Sequence, residues 1–252
     1  MSSNSIIHTT VLPFIELITV DSTNNYAMAA LQKGGIEHGT AWFAYNQTAG
    51  KGQRGRVWNA QPGQNITLSV ALNTSGLPVS AQFYLIAAVA VAAHDFFSGY
   101  AGSETSVKWV NDVFWNDRKA GGILIENVLR GNNWQWAVAG IGININQTNF
   151  LGMAANAVSL KQITGKTFDV LALAKQLQGH VVNQFAALLD DKEAVLAAYN
   201  SILYRRNLPA KLRKNNIVFN ATIREALPDG RLRVEEAAWD TFGFGEVEWV
   251  FS

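Results

Sequence analysis

With 252 residues the chain can bury a sizeable core, either as one large domain or as a domain with a small appendage. Apolar residues make up 48% and charged residues only 15%, which excludes a disordered chain, and a net charge of +1 supplies no global field toward nucleic acid or an anionic membrane. The lack of cysteine rules out disulfides, thiol catalysis and cysteine-ligated zinc, and it is the usage expected of a cytoplasmic protein.

The opening MSSNSIIHTT has neither the basic end nor the long apolar run of a signal peptide. DSTNNYAMAALQKGG predicts a helix, with Asp21 to Asn24 as caps and Gly34-Gly35 ending it. GTAWFAYNQ is β-rich, and NITLSVAL is the next strand. PVSAQFYLIAAVAVAAHDFFSGY is the clearest helix, with Phe83, Ile86, Ala90, Ala93 and Phe97 at helical spacing. Its apolar run is read as too short for a membrane span and is broken by His94 and Asp95.

SVKWV and KAGGILIENVLR read as strands, and GNN turns the second into WQWAVAGIGININ. Helices follow in FDVLALAKQLQGHVVNQFAALL and KEAVLAAYNSILY. After Arg206, short alternating strands are separated by Asn-Asn, Pro-Asp-Gly and Gly-Phe-Gly turns, the pattern of a small β-barrel. The order predicts an α+β fold, with a mixed-sheet domain over residues 1–206 and the barrel over 207–252.

Chemistry concentrates in a few stretches. AGKGQRGRVW alternates glycines with Lys51, Arg54 and Arg56. It lacks the Walker spacing but suits an anion clamp, since glycine lets backbone N–H groups approach phosphate and the cations neutralise it. Ordering the seven residues Gly50 to Arg56 costs more backbone entropy than three charge-assisted contacts return. A loop without fixed structure in the free protein is therefore expected.

In VKWVNDVFWNDRKAGGILIE, Lys119 opens an apolar strand beside Gly121 and Gly122, which leave room for a ligand. In AGIGININ, Ile141, Ile143 and Ile145 point one way, while Gly142, Asn144 and Asn146 point the other. The second face suits a ligand that needs close approach and hydrogen bonds. His8, His38, His94 and His180 have no metal-ligand spacing, and no G-x-S-x-G elbow is present.

DSTN, GKGQRGRVW, KWVNDV with RKAGGILIE, and GIGININ, in that order, resemble the successive motifs of the biotin protein ligase family. The resemblance implies a mixed-sheet catalytic domain of the biotin/lipoate ligase type with a C-terminal SH3-like β-barrel. It also implies the monofunctional type, without the N-terminal DNA-binding domain of ligases that double as repressors. The implied activity turns biotin and ATP, with Mg2+, into biotinyl-5′-AMP and then acylates a lysine of a biotin carboxyl carrier domain. It leaves room for a homodimer.

Carried over by motif, Ser22, Thr23 and Gln47 would bond the ureido ring of biotin, with Asn24 supporting that end. Lys51, Gly52 and Gln53 fall in the part of the loop that meets phosphate and intermediate, and Arg54 and Arg56 add charge. Trp58 would stack near adenine, with Gly142 and Asn144 on the nucleotide side. Lys119 would bridge carboxylate and α-phosphate, and Asp112 would orient or help deprotonate the acceptor lysine. Many family members carry arginine at the positions of Lys51 and Gln53 and proline at Val110. The loop here thus has less charge, and the turn before Asp112 is expected to be less rigidly preset.

Two rival readings remain. A lipoate or octanoate ligase of the same superfamily would not need the polar Ser22, Thr23 and Gln47 pocket. A nucleic-acid-binding module is opposed by the near-neutral charge and the lack of a continuous basic, aromatic face.

Overall fold

The computed structural model describes residues 12–150 and 156–251; the expectation for His8 lies outside them. A seven-stranded sheet runs in the order β1-β2-β3-β7-β6-β5-β4. Its strands are β1 Phe14–Val20, β2 Ala41–Gln47, β3 Asn65–Asn73, β4 Thr105–Lys108, β5 Asp112–Trp115, β6 Arg118–Arg130 and β7 Asn133–Asn144. Only β1–β2 is a parallel pair. That pair needs a crossover, which α1 (Thr23–Lys33) supplies.

Helix α2 (Gln82–Ala101) lies on one face of the sheet with α4 (Val170–Asp190) and α5 (Lys192–Ser201). Alanine at most of its turns lets sheet and helices approach it from several sides, so Ala87, Ala88, Ala90, Ala92 and Ala93 are all buried. By length and composition Val79–Ala101 would suffice to cross a membrane, contrary to the reading that this run is too short, but 67% of its most apolar stretch is buried inside the fold. Asp169 and Asp191 cap α4 and α5 by accepting backbone N–H bonds. A short helix, α3 (Leu160–Thr164), starts on a reciprocal Ser159–Gln162 capping box.

The opposite face carries α1, packed over Trp42, Ala71 and Val138. Beside α1 the sheet is left bare, and there the strand register sets up the site. One row crosses the strands as Lys108, Asp112, Gly122, Gly142 and Thr67, and the next as Leu124, Gly140, Ser69 and Trp42. Ile141 and Ile143 turn into the core on the other face, as the alternation predicted.

Beyond α5 a second, antiparallel sheet has the order β11-β10-β9-β8-β12. It comprises β8 Pro209–Lys214, β9 Ile217–Ala226, β10 Leu232–Glu235, β11 Thr241–Phe242 and β12 Glu248–Trp249. Its buried Leu212, Ile223, Leu232 and Phe242 belong to the same apolar core as α2. Asn200 ties the parts together, donating to the Ala226 carbonyl and accepting from the Ala226 N–H, both bonds buried.

Candidate active site

A cavity of about 730 Å³ lies over the bare part of the sheet, within the usual size of small-molecule sites. Every residue given a role by the family resemblance lines it: Ser22, Thr23, Asn24, Gln47, Lys51, Gly52, Gln53, Arg54, Arg56, Trp58, Asp112, Lys119, Gly142 and Asn144; Gly121 and Asn146 do not. Its charged lining is Lys51, Arg54, Arg56, Lys108 and Lys119 against Asp112 and Glu248, so it favours an anion.

One end is a polar chain. Gln47 Oε1 accepts from Thr23 N at 2.8 Å and from Thr23 Oγ1 at 3.1 Å. Ser69 Oγ lies 2.7 Å from Thr23 Oγ1 and 2.6 Å from Asn24 Oδ1; with one proton to give, it donates to the amide oxygen, which has none, and the Thr23 hydroxyl proton is shared between Ser69 Oγ and Gln47 Oε1. Asn24 Nδ2 then donates to Glu126 Oε2 at 2.8 Å, and Glu126 Oε1 meets Lys51 Nζ at 3.5 Å. Gly140 is what lets Asn24 lie so close to the sheet, because a Cβ there would overlap its amide. Ser22 starts α1, is 2% exposed and makes no side-chain cap bond.

At the other end Asp112 sits between two lysines, Lys119 Nζ at 2.6 Å from Oδ1 and Lys108 Nζ at 3.1 Å from Oδ2. Burial pushes the Asp112 carboxyl up, but the ammonium groups of Lys119 and Lys108 outweigh it and hold the carboxyl below its ordinary value. Asp112 is thus a fixed negative charge and a weak base. Lys108 also lies over the rings of Phe114 at 5.1 Å and Phe251 at 5.9 Å. Gly122 leaves the space beside the Lys119 ammonium open; a Cβ there would stand 3.4 Å from Nζ.

The glycine-cation segment has a definite arrangement, unlike the expectation of a loop without fixed structure. It forms a tight flap closed by Gly52 N to Arg56 O at 2.7 Å and Trp58 N to Gly50 O at 2.9 Å. Arg54 takes the left-handed conformation, φ 56°, at the tip. Three contacts dock the flap: Gln53 Nε2 to Ile123 O at 3.3 Å, Lys51 to Glu126, and Arg54 Nη1 to Gly245 O at 3.2 Å. The entropic reading lacked these partners, which lie far away in sequence. Arg56 remains exposed. The Trp58 indole fills the space over Gly142, and its Nε1 is buried without a partner.

Asn144 lines the cavity, and its Nδ2 braces the backbone, donating to Val158 O at 3.1 Å and Lys119 O at 3.4 Å. Two expectations need correction. Asn146 does not offer a free amide; it bonds both the N–H and the carbonyl of Phe168. Nor is the turn before Asp112 loose for want of proline. Tyr199 Oη donates to Val110 O at 3.0 Å, Asn111 Nδ2 donates to Ile123 O, and Ile123 N donates to Asn111 O at 3.0 Å. The Trp109–Val110 peptide is cis.

The sequence reading missed Ser69, Glu126, Lys108 as a partner of Asp112, and the wall supplied by Phe244 to Phe251. Ser69 and Glu126 were visible as polar residues inside apolar strands. The terminal wall carries no local signal. Among the described residues no group of three or more His, Cys, Asp or Glu could hold a metal ion.

Residues 16–144 match the model of the biotin/lipoate A/B protein ligase family. The chain is 36% identical over 143 residues to the bifunctional ligase/repressor BirA of Bacillus spizizenii, covering 55% of this chain and 43% of that one. It is 32% identical over 158 residues to the biotin–[acetyl-CoA-carboxylase] ligase of Paracoccus denitrificans, covering 61% of this chain and 65% of the relative. The matched region thus spans less than two thirds of either relative's length. In three dimensions the chain is similar to the biotin protein ligase of Aquifex aeolicus solved with biotin and ATP, with TM-score 0.78, 23% identity, and 95% and 99% of the two chains covered.

Proposed function

Because the chain belongs to the biotin/lipoate A/B protein ligase family, we propose that it is an ATP-dependent biotin protein ligase acting on a lysine of a biotin carboxyl carrier domain. The observation that carries this reading is the gathering of its separated motifs around one cation-lined cavity, with the Lys119 ammonium beside Gly122.

A carboxylate resists nucleophiles because of its charge. In the proposed first step its oxygen attacks the α-phosphorus of ATP and pyrophosphate leaves, giving a mixed anhydride. Lys119 neutralises the carboxylate and the α-phosphate, while Lys51, Arg54 and Arg56 on the flap neutralise the departing pyrophosphate. Magnesium enters with the nucleotide as part of the substrate, held by the phosphates. The flap keeps water from the anhydride.

In the second step the acceptor lysine, arriving as an ammonium, releases one proton to solvent. Its neutral amine attacks the acyl carbon, the acyl C–O bond to AMP breaks, and AMP leaves with that electron pair. The new amide nitrogen releases its second proton to solvent. Asp112, held ionised, attracts and aligns the incoming ammonium rather than serving as a strong base. Ser22, Thr23 and Gln47 read the ureido ring, and Gln47 retains its Nε2 donor for the ring carbonyl. That polar end favours biotin over a lipoyl or octanoyl group, whose aliphatic end would leave it unpaired. Trp58, Gly142 and Asn144 form the nucleotide side. We read residues 1–206 as the catalytic domain and 207–252 as a small SH3-like barrel whose edge completes the cavity.

The test is incubation with MgATP, a carrier domain, and either biotin or lipoate, followed by intact-mass measurement of the carrier. One added biotinyl group, and none from lipoate, is expected. An unchanged carrier mass with biotin sinks the proposal.

A further inference from the structure

Glu126 stands in an otherwise apolar row. Across the sheet its neighbours are Val138 and then Ala71, both fully buried with Trp42 in the cluster under α1. A carboxylate there is costly unless its oxygens are engaged, and both are, by different parts of the chain. Oε2 accepts from Asn24 Nδ2 at 2.8 Å, and Oε1 meets Lys51 Nζ at 3.5 Å. Asn24 belongs to α1 and is buried, whereas Lys51 belongs to the flap and its side chain is 42% exposed.

The first oxygen sets the Asn24 amide. A carboxylate only accepts, so Nδ2 faces it and Oδ1 faces Ser69, whose hydroxyl then donates. Glu126 thereby fixes the direction of the polar chain that continues to Thr23. The second oxygen acts on the flap. β5 pairs with β6 only as far as Gly122. The flap meets β6 just beyond, through Gln53 at the Ile123 carbonyl and Lys51 at Glu126. Arg54 is held by a carbonyl of the second sheet, so among the described residues Lys51–Glu126 is the only ion pair the flap makes. An ammonium has three donors, and this pair leaves Lys51 two of them for phosphate.

We propose that Glu126, which lies outside the cavity lining, is a positioning residue for both ends of the site. One oxygen orients Asn24, and the other clips the flap down through Lys51. The clip is a property of the free chain; its kinetic consequence rests on the ligase reading and deepens it.

Glu126→Gln separates the two oxygens. Its amide oxygen can still accept from Asn24, but the charge that holds Lys51 is gone. In the ligand-free full chain, hydrogen exchange over residues 50–58 is expected to quicken about two- to fivefold, the scale of a part-exposed pair, with no change elsewhere. High salt should quicken flap exchange more in the unsubstituted chain than in Glu126→Gln, because only the former has the pair to screen. Lys51→Met should quicken it too, and adding Glu126→Gln to Lys51→Met should have no further effect.

Kinetics read the other arm. In ATP–pyrophosphate exchange Glu126→Gln should raise the KM for ATP about two- to fivefold and leave that for biotin unchanged. Glu126→Leu loses both bonds and should raise the KM for biotin as well, by about tenfold. Unchanged flap exchange in Glu126→Gln, or additive effects in the double variant, overturns the clip. An equal biotin KM in Glu126→Gln and Glu126→Leu overturns the orienting role. A chain with no pyrophosphate exchange refutes the ligase reading and the orienting role with it, while hydrogen exchange still decides the clip.

Discussion

The Trp58 indole occupies the volume that a side chain on Gly142 would need; a Cβ built there would stand 2.3 Å from the ring's Cε2. Flap and sheet therefore meet through a missing methyl group. Gly142→Ala must expel the indole or move a central strand, an overpacking cost of about 1–3 kcal/mol. Expulsion of the indole is expected, because Trp58 hangs on a flap while Gly142 is hydrogen-bonded between β3 and β6. The KM for ATP in pyrophosphate exchange should rise about tenfold, with little change in the urea midpoint. A large fall in the midpoint with an unchanged KM would contradict this.

In the proposed reaction, Lys119→Ala removes the cation beside the reacting carboxylate. Adenylate formation should fall by about 10²–10³ or more, the usual scale for one charge-stabilising group. Transfer from chemically supplied biotinyl-5′-AMP to the carrier should fall much less. Equal losses in the two half-reactions would remove Lys119 from its assigned role.

Asp112 makes stability depend on acid pH. Its carboxyl is held below the ordinary value of 3.8 in the folded protein. A group depressed on folding contributes stability above its unfolded pKa and loses it as the pH falls through the folded one. Asp112→Asn should therefore flatten the decline in urea midpoint below about pH 4. At neutral pH it should cost about 2 kcal/mol, by leaving Lys108 and Lys119 without their shared partner. The same acid slope in both proteins would refute the linkage.

Gly245 is the catch on which the flap rests. Its φ of +83° disfavours any side chain, by about 1–2 kcal/mol, and a Cβ there would overlap the Arg54 guanidinium. Gly245→Ala should release the flap, giving faster trypsin cleavage after Arg54 and Arg56 while the rest of the chain stays protected. Unaltered cleavage at both arginines would show that the catch is not needed.

Legibility from sequence followed the range of the interaction. Helix α2 and the split of Ile141 and Ile143 from Gly142 were readable, because periodicity is local. β1 was overlooked: its alternating FIELITV was visible, but its pairing with β2 depends on the α1 crossover. α3 was overlooked too, although Ser159 and Gln162 spell a capping box. The motif residues were located and do share one cavity. What they bond was not readable, because the partners Ser69, Glu126, Lys108 and Gly245 arrive through strand register and through the second sheet. Asn146 shows the same limit: its amide is consumed at both ends by the Phe168 backbone.

The bond between Arg54 and Gly245 joins positions 191 residues apart. Contacts of such separation form late, because the intervening chain must be organised before its ends can meet. In a refolding time course followed by pulsed labelling, amides of residues 50–58 should gain protection after those of β6 and β7. A protected flap would then be a sign that both sheets have been assembled, which makes the segment an internal clock for the end of folding.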